Sequence, residues 1–195
     1  MKKTLFTLLF STTLFAQEKA TDLFNVNVSI LGVGLQYEKA LSENFTALGT
    51  LDYAGGFRYS NSDYYGSDFE YILTTNLALE GRYYYNFDRR ISKDKNTKNN
   101  SGNYLALKGT YTPDWLTYSN SDNLSVNPQG MITLNYGLKR SFSTNFFYEF
   151  YTGLGIIFYD DENYSFDPEH QIYHPYNSTT TALALDLGFR VGYNF

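Results

Sequence analysis

Positions 180–195 read TTALALDLGFRVGYNF and alternate without a break. Thr181, Leu183, Leu185, Leu187, Phe189, Val191, Tyr193 and Phe195 make an oily series, and Asp186 and Arg190 sit among Ala and Gly on the other. A period of two over this length means an extended strand with one apolar and one polar or small face. Ordinary strands run to about 5–6 residues, whereas crossing the hydrocarbon of a bilayer takes roughly 9–11. The pattern recurs. Tyr71, Leu73, Leu77, Leu79, Tyr83 and Tyr85 mark 70–87, Phe146, Tyr148, Phe150, Leu154, Ile156 and Phe158 mark 146–158, and Phe45, Leu51, Tyr53 and Phe57 mark 45–59. Shorter versions lie at 103–112 and 130–139. In 24–38 the series Phe24, Val26, Val28, Ile30 gives way to Leu31, Val33, Leu35, Tyr37, a phase break that predicts a bulge.

The opposite faces hold Glu38, Asp52, Arg58, Glu80, Arg82, Lys108, Lys139, Glu149, Asp186 and Arg190, with acids and bases in balance. A charge facing mid-membrane lipid costs roughly 2–4 kcal/mol, so these residues are expected to face the lumen of a barrel and pair there. Small residues such as Ala78, Ala106, Gly137, Gly153, Gly155, Ala184 and Gly188 share those faces, the filling of a narrow barrel packed by side chains. The predicted architecture is all-β: one antiparallel up-and-down transmembrane barrel. Seven strand segments are legible, yet barrels of this type have an even number, so about eight strands are expected. Either a strand hides in 113–129, or one segment is two, or the barrel is incomplete.

Composition fits the same class. Tyr (20) and Phe (16) are abundant, and aromatics collect at membrane interfaces as two girdles. Mean hydropathy is −0.39, which excludes helical spans. The start Met1-Lys2-Lys3, the apolar stretch from Leu5 to Phe15 and Ala16-Gln17 read as a secretory signal peptide, 1–16, cleaved after Ala16. The barrel then occupies 17–195. Cys is absent, so thiolate metal sites and disulfides are excluded, and a formal charge of −5 argues against nucleic-acid binding.

The oily series ending on Phe195 resembles the carboxy-terminal signature of bacterial outer-membrane β-barrel proteins. That resemblance implies that Phe189, Val191, Tyr193 and Phe195 are read by the barrel-assembly machinery, and that the protein is a monomer in outer-membrane lipid, exported by the general secretory route. Arg82-Tyr83-Tyr84-Tyr85-Asn86-Phe87, Asn100-Ser101-Gly102-Asn103-Tyr104, Pro113-Asp114-Trp115 and Phe15-Ala16-Gln17 together resemble uncharacterised small outer-membrane barrels of Bacteroidota. Fold and location follow from that likeness; an activity does not. With Phe195 on the periplasmic side, 60–69, 113–129 and 159–178 are expected outside as acidic loops. The connection 88–102, with Arg89, Arg90, Lys93, Lys95 and Lys98, then lies in the periplasm.

No catalytic, cofactor-binding or metal site is assigned. His170 and His174 stand among Asp160, Asp161, Glu162, Asp167 and Glu169, suitable donors for a cation but in no recognised loop spacing. His174, Ser178 and Glu149 suggest a triad of the kind used by outer-membrane lipid A deacylases, whose Ser lies two residues after His, unlike the run here. The expected role is structural or adhesive, through acidic surface loops. The alternatives are a narrow conduit or binding site for small apolar molecules, and a lipid-modifying enzyme.

Overall fold

The computed structural model describes residues 19–62, 66–122, 124–167, 170 and 172–195. Nine strands form one antiparallel sheet: β1 (Leu23–Ser29), β2 (Gly32–Ala40), β3 (Phe45–Ser62), β4 (Gly66–Tyr83), β5 (Asn103–Thr112), β6 (Tyr118–Ser119), β7 (Gln129–Ser141), β8 (Phe146–Asp167) and β9 (Ile172–Asn194). Each of the eight long strands pairs with its neighbours in chain order, and β9 returns to β1, from Asn25 opposite Asn194 to Ser29 opposite Arg190. The ring therefore has eight strands and no free edge. β6 adds only a two-residue pairing to β4.

The eighth strand comes from 24–38. Its phase break is not a bulge but a hairpin: Ser29 pairs with Gly32, and Ile30 and Leu31 make the two-residue turn. Such turns usually advertise themselves with Asn-Gly or Gly at a positive φ. Neither Ile30 nor Leu31 has a positive φ, so that signal was missing. Reversal through an even-length turn keeps Val28 and Val33 on one face, which looks along the sequence like a slip in phase. With eight strands both chain ends lie at the same end of the barrel, here the terminal end.

At the distal end the strands run further than the periodicity predicts. β8 and β9 are 22 and 23 residues long and paired along their length, so 159–178 is mostly a strand hairpin and not a loop. β3 and β4 likewise continue to Ser62 and from Gly66, into the segment 60–69. The β1–β2 hairpin is short by contrast, and the distal rim rises on two arms about a low notch.

The wall is inside-out relative to a water-soluble sandwich. Leu79, Leu134, Leu183 and Leu185 lie outward and are more than two-thirds exposed, while Glu38, Arg82, Lys139 and Glu149 face inward and are at most 1% exposed. The aromatics divide between the faces. Tyr84, Tyr104 and Phe147 point inward and are fully buried. Tyr104 pairs with Gly137, Tyr151 with Gly188 and Phe147 with Gly192. A Cβ on those glycines would come within 2.2, 2.2 and 2.5 Å of the facing rings. Each ring lies down over the glycine beside it, and only glycine leaves that space.

The terminal end is closed by a lid. A one-turn helix, α1 (Phe87–Ile91), and a 3-10 turn (Lys98–Asn100) lie in the long connection between β4 and β5. Phe87 stacks on Tyr84 at 4.6 Å, and Tyr104 packs beside them at 5.4 Å, with Ala20 completing the cluster. The segment before β1 is tied across it. Asn100 Nδ2 donates to the Thr21 carbonyl at 2.9 Å and its Oδ1 accepts from the Thr21 amide at 2.8 Å. Lys19 pairs with Asp88 and, at 2.9 Å, with Glu43, and those hydrogen bonds hold its ammonium above the ordinary lysine pKa. The Asp22 carboxylate takes the Lys39 ammonium and, at 2.9 Å, the Ala40 amide, bonds that lower its pKa.

Candidate functional site

Alternation along β2, β4, β5, β7, β8 and β9 aims their charged positions into one narrow space. A lone buried charge there would be costly, so its partners decide what the interior is. Glu38 Oε2 meets Lys139 Nζ at 2.9 Å, and its Oε1 accepts from the Thr46 and Tyr84 hydroxyls, each at 2.8 Å. Arg82 Nη2 reaches Glu149 Oε1 at 2.6 Å and Glu80 Oε2 at 3.1 Å. The Tyr104 hydroxyl donates to the same Glu149 oxygen, and Arg190 Nε stands 3.7 Å from the other. Lys108 Nζ lies 3.0 Å from Asp186 Oδ2, which also accepts from Asn135 Nδ2 at 2.7 Å and Thr133 Oγ1 at 3.3 Å.

These bonds are chords. Glu38–Lys139 joins β2 to β7, Arg82–Glu149 joins β4 to β8, and Lys108–Asp186 joins β5 to β9, strands that are not neighbours in the ring. Inward rings fill the gaps between them and take the cations on their faces. Arg82 lies 4.3 Å from the Tyr104 ring centre, Lys108 and Arg190 lie 4.6 and 4.8 Å from that of Tyr151, and Lys139 lies 4.8 Å from that of Phe147. Cation–ring contacts strengthen when water is excluded. Glu38, Glu80, Glu149 and Asp186 face Arg82, Lys108, Lys139 and Arg190, four acids against four bases, so this network is neutral; Glu70, also buried, lies further along β4, opposite Arg58 by register.

Of the residues expected in this network, Glu80, Arg82, Lys108, Glu149, Asp186 and Arg190 are brought together, with Glu38 and Lys139. Asp52 is half-buried opposite Gly34 and has no hydrogen bond or ion pair among the described residues. Arg58 pairs by backbone register with Glu70, and its side chain lies outside the described residues. The inward rings Tyr84, Tyr104, Phe147 and Tyr151 were missed. Their parity held the signal, because Tyr84 is in phase with Glu80 and Arg82, and Phe147 and Tyr151 flank Glu149. The C-terminal series faces outward as expected: Phe195 lies 5.7 Å from Phe24 and 5.2 Å from Tyr193, and its amide donates to the Phe24 carbonyl at 2.9 Å.

The candidate triad is not assembled. Glu149 pairs with Arg190 and Ser178 with Asp161, twelve positions apart along β9, or about 40 Å. His174 pairs by backbone with Ser165, farther still toward the distal tip. The acids and histidines of 159–178 form no three-residue metal group among the described residues, and the side chains of Glu162, Asp167, Glu169 and His174 lie outside them. A cavity of about 860 Å³ is lined by Val26, Val28, Leu35, Tyr53, Val191 and Tyr193, with Trp115 and Leu116 at its margin. Those six belong to the outward series, and Asn27, Gly34, Asp52 and Gly192 of the inward series also line it, so the cavity lies mainly along the oily wall. No protein-family model, curated protein or solved structure matches this chain.

Proposed function

We propose that the protein is an integral outer-membrane β-barrel with a sealed interior, a rigid base that carries two acidic hairpins outside the cell for a structural or adhesive role. The observation that carries this reading is the neutral set of charged chords across the lumen, closed at the terminal end by Ala20, Tyr84 and Phe87. A water-filled pore needs about 16 strands and a lumen free of such cross-links. The outward band of exposed leucines, valines and aromatics supports lipid as its surroundings, since soluble monomers rarely expose a contiguous apolar surface of this extent. Crossing the hydrocarbon needs roughly 9–11 residues per strand, which leaves β8 and β9 about ten residues each beyond the bilayer. Those extensions hold Asp160, Asp161, Glu162 and Asp167. The test is electrical and spatial together. Purified protein in planar bilayers is expected to give no steady channels, and a tag placed at position 170 is expected to be labelled on intact cells. Steady conductance would overturn the sealed interior, and labelling only after lysis would overturn the orientation.

A further inference from the structure

The outward series of β7 is Ile132, Leu134, Tyr136, Leu138 and then Arg140, an arginine where the oily wall meets the terminal rim. It pairs by register with Tyr148, another outward residue of the interfacial belt. Its guanidinium is pinned. Nη1 donates to the Gly102 carbonyl at 2.8 Å and to the Lys139 carbonyl at 2.7 Å, and Nη2 donates to Asn103 Oδ1. Asn103 is held in turn, its Nδ2 donating to the Tyr136 hydroxyl at 2.6 Å and to that of Tyr85 at 3.2 Å. A second guanidinium reaches the same rim from α1: Arg90 donates from Nε at 3.1 Å and from Nη2 at 2.6 Å to the Asn96 carbonyl, and Asn96 Nδ2 donates at 3.3 Å to the carbonyl of Ser141, the residue after Arg140. Burial and then the Arg140 charge lower the Arg90 pKa, so the two cations repel.

Neither arginine has a carboxylate partner among the described residues, and Asp88, the acid on α1, is taken by Lys19. Each guanidinium has five N–H donors. The bonds above use three on Arg140 and two on Arg90, and leave the rest for a ligand. Two like charges held on one half-buried rim are costly unless an anion offsets them. The planar fork of each guanidinium matches the oxygens of a phosphate. Its surroundings set the rest: Tyr85, Tyr136 and Tyr148 belong to the interfacial belt, and Leu138 and Phe150 continue into the oily wall.

We propose that Arg140 and Arg90 bind the phosphate of an anionic glycerophospholipid in the leaflet at the terminal end, with its acyl chains along Leu138 and Phe150. This rests on the outer-membrane reading above. The test uses the full protein refolded in detergent with phosphatidylglycerol, phosphatidylcholine or inorganic phosphate, and counts retained lipid by native mass spectrometry. Wild type is expected to keep one phosphatidylglycerol through delipidation. R140Q and R90Q should each lower that retention by about tenfold, the scale of losing one charge-assisted contact, and R140K by less. Inorganic phosphate at millimolar concentration should not displace the lipid. Equal retention by the folded glutamine variants, equal retention of phosphatidylcholine, or displacement by inorganic phosphate would each overturn the assignment. Failure of wild type to insert into vesicles would overturn the membrane reading along with it, whereas insertion without selective retention removes this site alone.

Discussion

Replacing Lys139 with methionine tests whether the lumen is dry. The substitution keeps an unbranched side chain only one atom shorter and removes the charge that Glu38 meets at 2.9 Å, in a pair whose side chains are at most 1% exposed. Removing one partner of a buried ion pair costs roughly 3–5 kcal/mol, because the remaining charge is left without compensation. The lower end applies here, about 3 kcal/mol, since the Thr46 and Tyr84 hydroxyls still donate to Glu38. At 1.4 kcal/mol per factor of ten, that is a loss of about a hundredfold or more in the folded-to-unfolded ratio. The assay is urea unfolding in phospholipid vesicles, with the folded fraction read from the mobility of unboiled protein in detergent gels. The double variant E38Q/K139Q, which exchanges the ion pair for paired amides, should recover all but about 1 kcal/mol. A loss below about 1 kcal/mol in K139M, varying with salt, would refute the reasoning, because that is how a solvated surface pair behaves.

Gly188→Ala should cost about 1–3 kcal/mol in the same unfolding assay, because the new methyl meets the Tyr151 ring at 2.2 Å and displaces it from Lys108 and Arg190. Removing Phe195 should lower outer-membrane assembly, measured by fractionation of expressing cells, since it ends the outward series and ties the last strand to Phe24. The Asp22 clip has a defined pH sense: its carboxyl is held below the ordinary value near 4, so the tie persists above that value and is lost as pH falls through the lowered one. The protection factor of the Ala40 amide in hydrogen exchange should therefore drop only in that acid range. In D22N, which has no titrating group there, it should not change with pH.

Much of the barrel was legible because a closed sheet with an oily outer face and a polar interior writes its two faces directly into alternate positions. Leu183 and Asp186 could be assigned to opposite faces before any contact was known. What alternation cannot convey is where a strand reverses without turn residues, and Ile30-Leu31 is such a place. Nor can it say which charges meet. Glu80 is opposite Lys108 and Lys139 opposite Glu149 by register, yet Lys108 turns to Asp186 and Lys139 to Glu38 across the lumen. Those choices depend on the diameter and stagger of the closed ring, and on rings such as Tyr104 and Tyr151 occupying the space between. The length of β8 and β9 was less legible for a different reason: beyond the oily band the outward positions are no longer apolar, so the series stops while the strand goes on.

The junction of β1 with β9 has a kinetic consequence. It holds five paired positions, the fewest between any two neighbouring wall strands among the described residues, and it joins parts of the chain more than 160 residues apart. Every other wall pairing links strands consecutive along the wall, so closure must wait until the last strand is made and then bring together the two ends of the molecule. The seam is thus the final step of folding and the first place to open under strain. Pulse-labelled exchange should find the amides of Val26 and Val28, which point toward β9 as Phe24 does, protected later during refolding than those of β8.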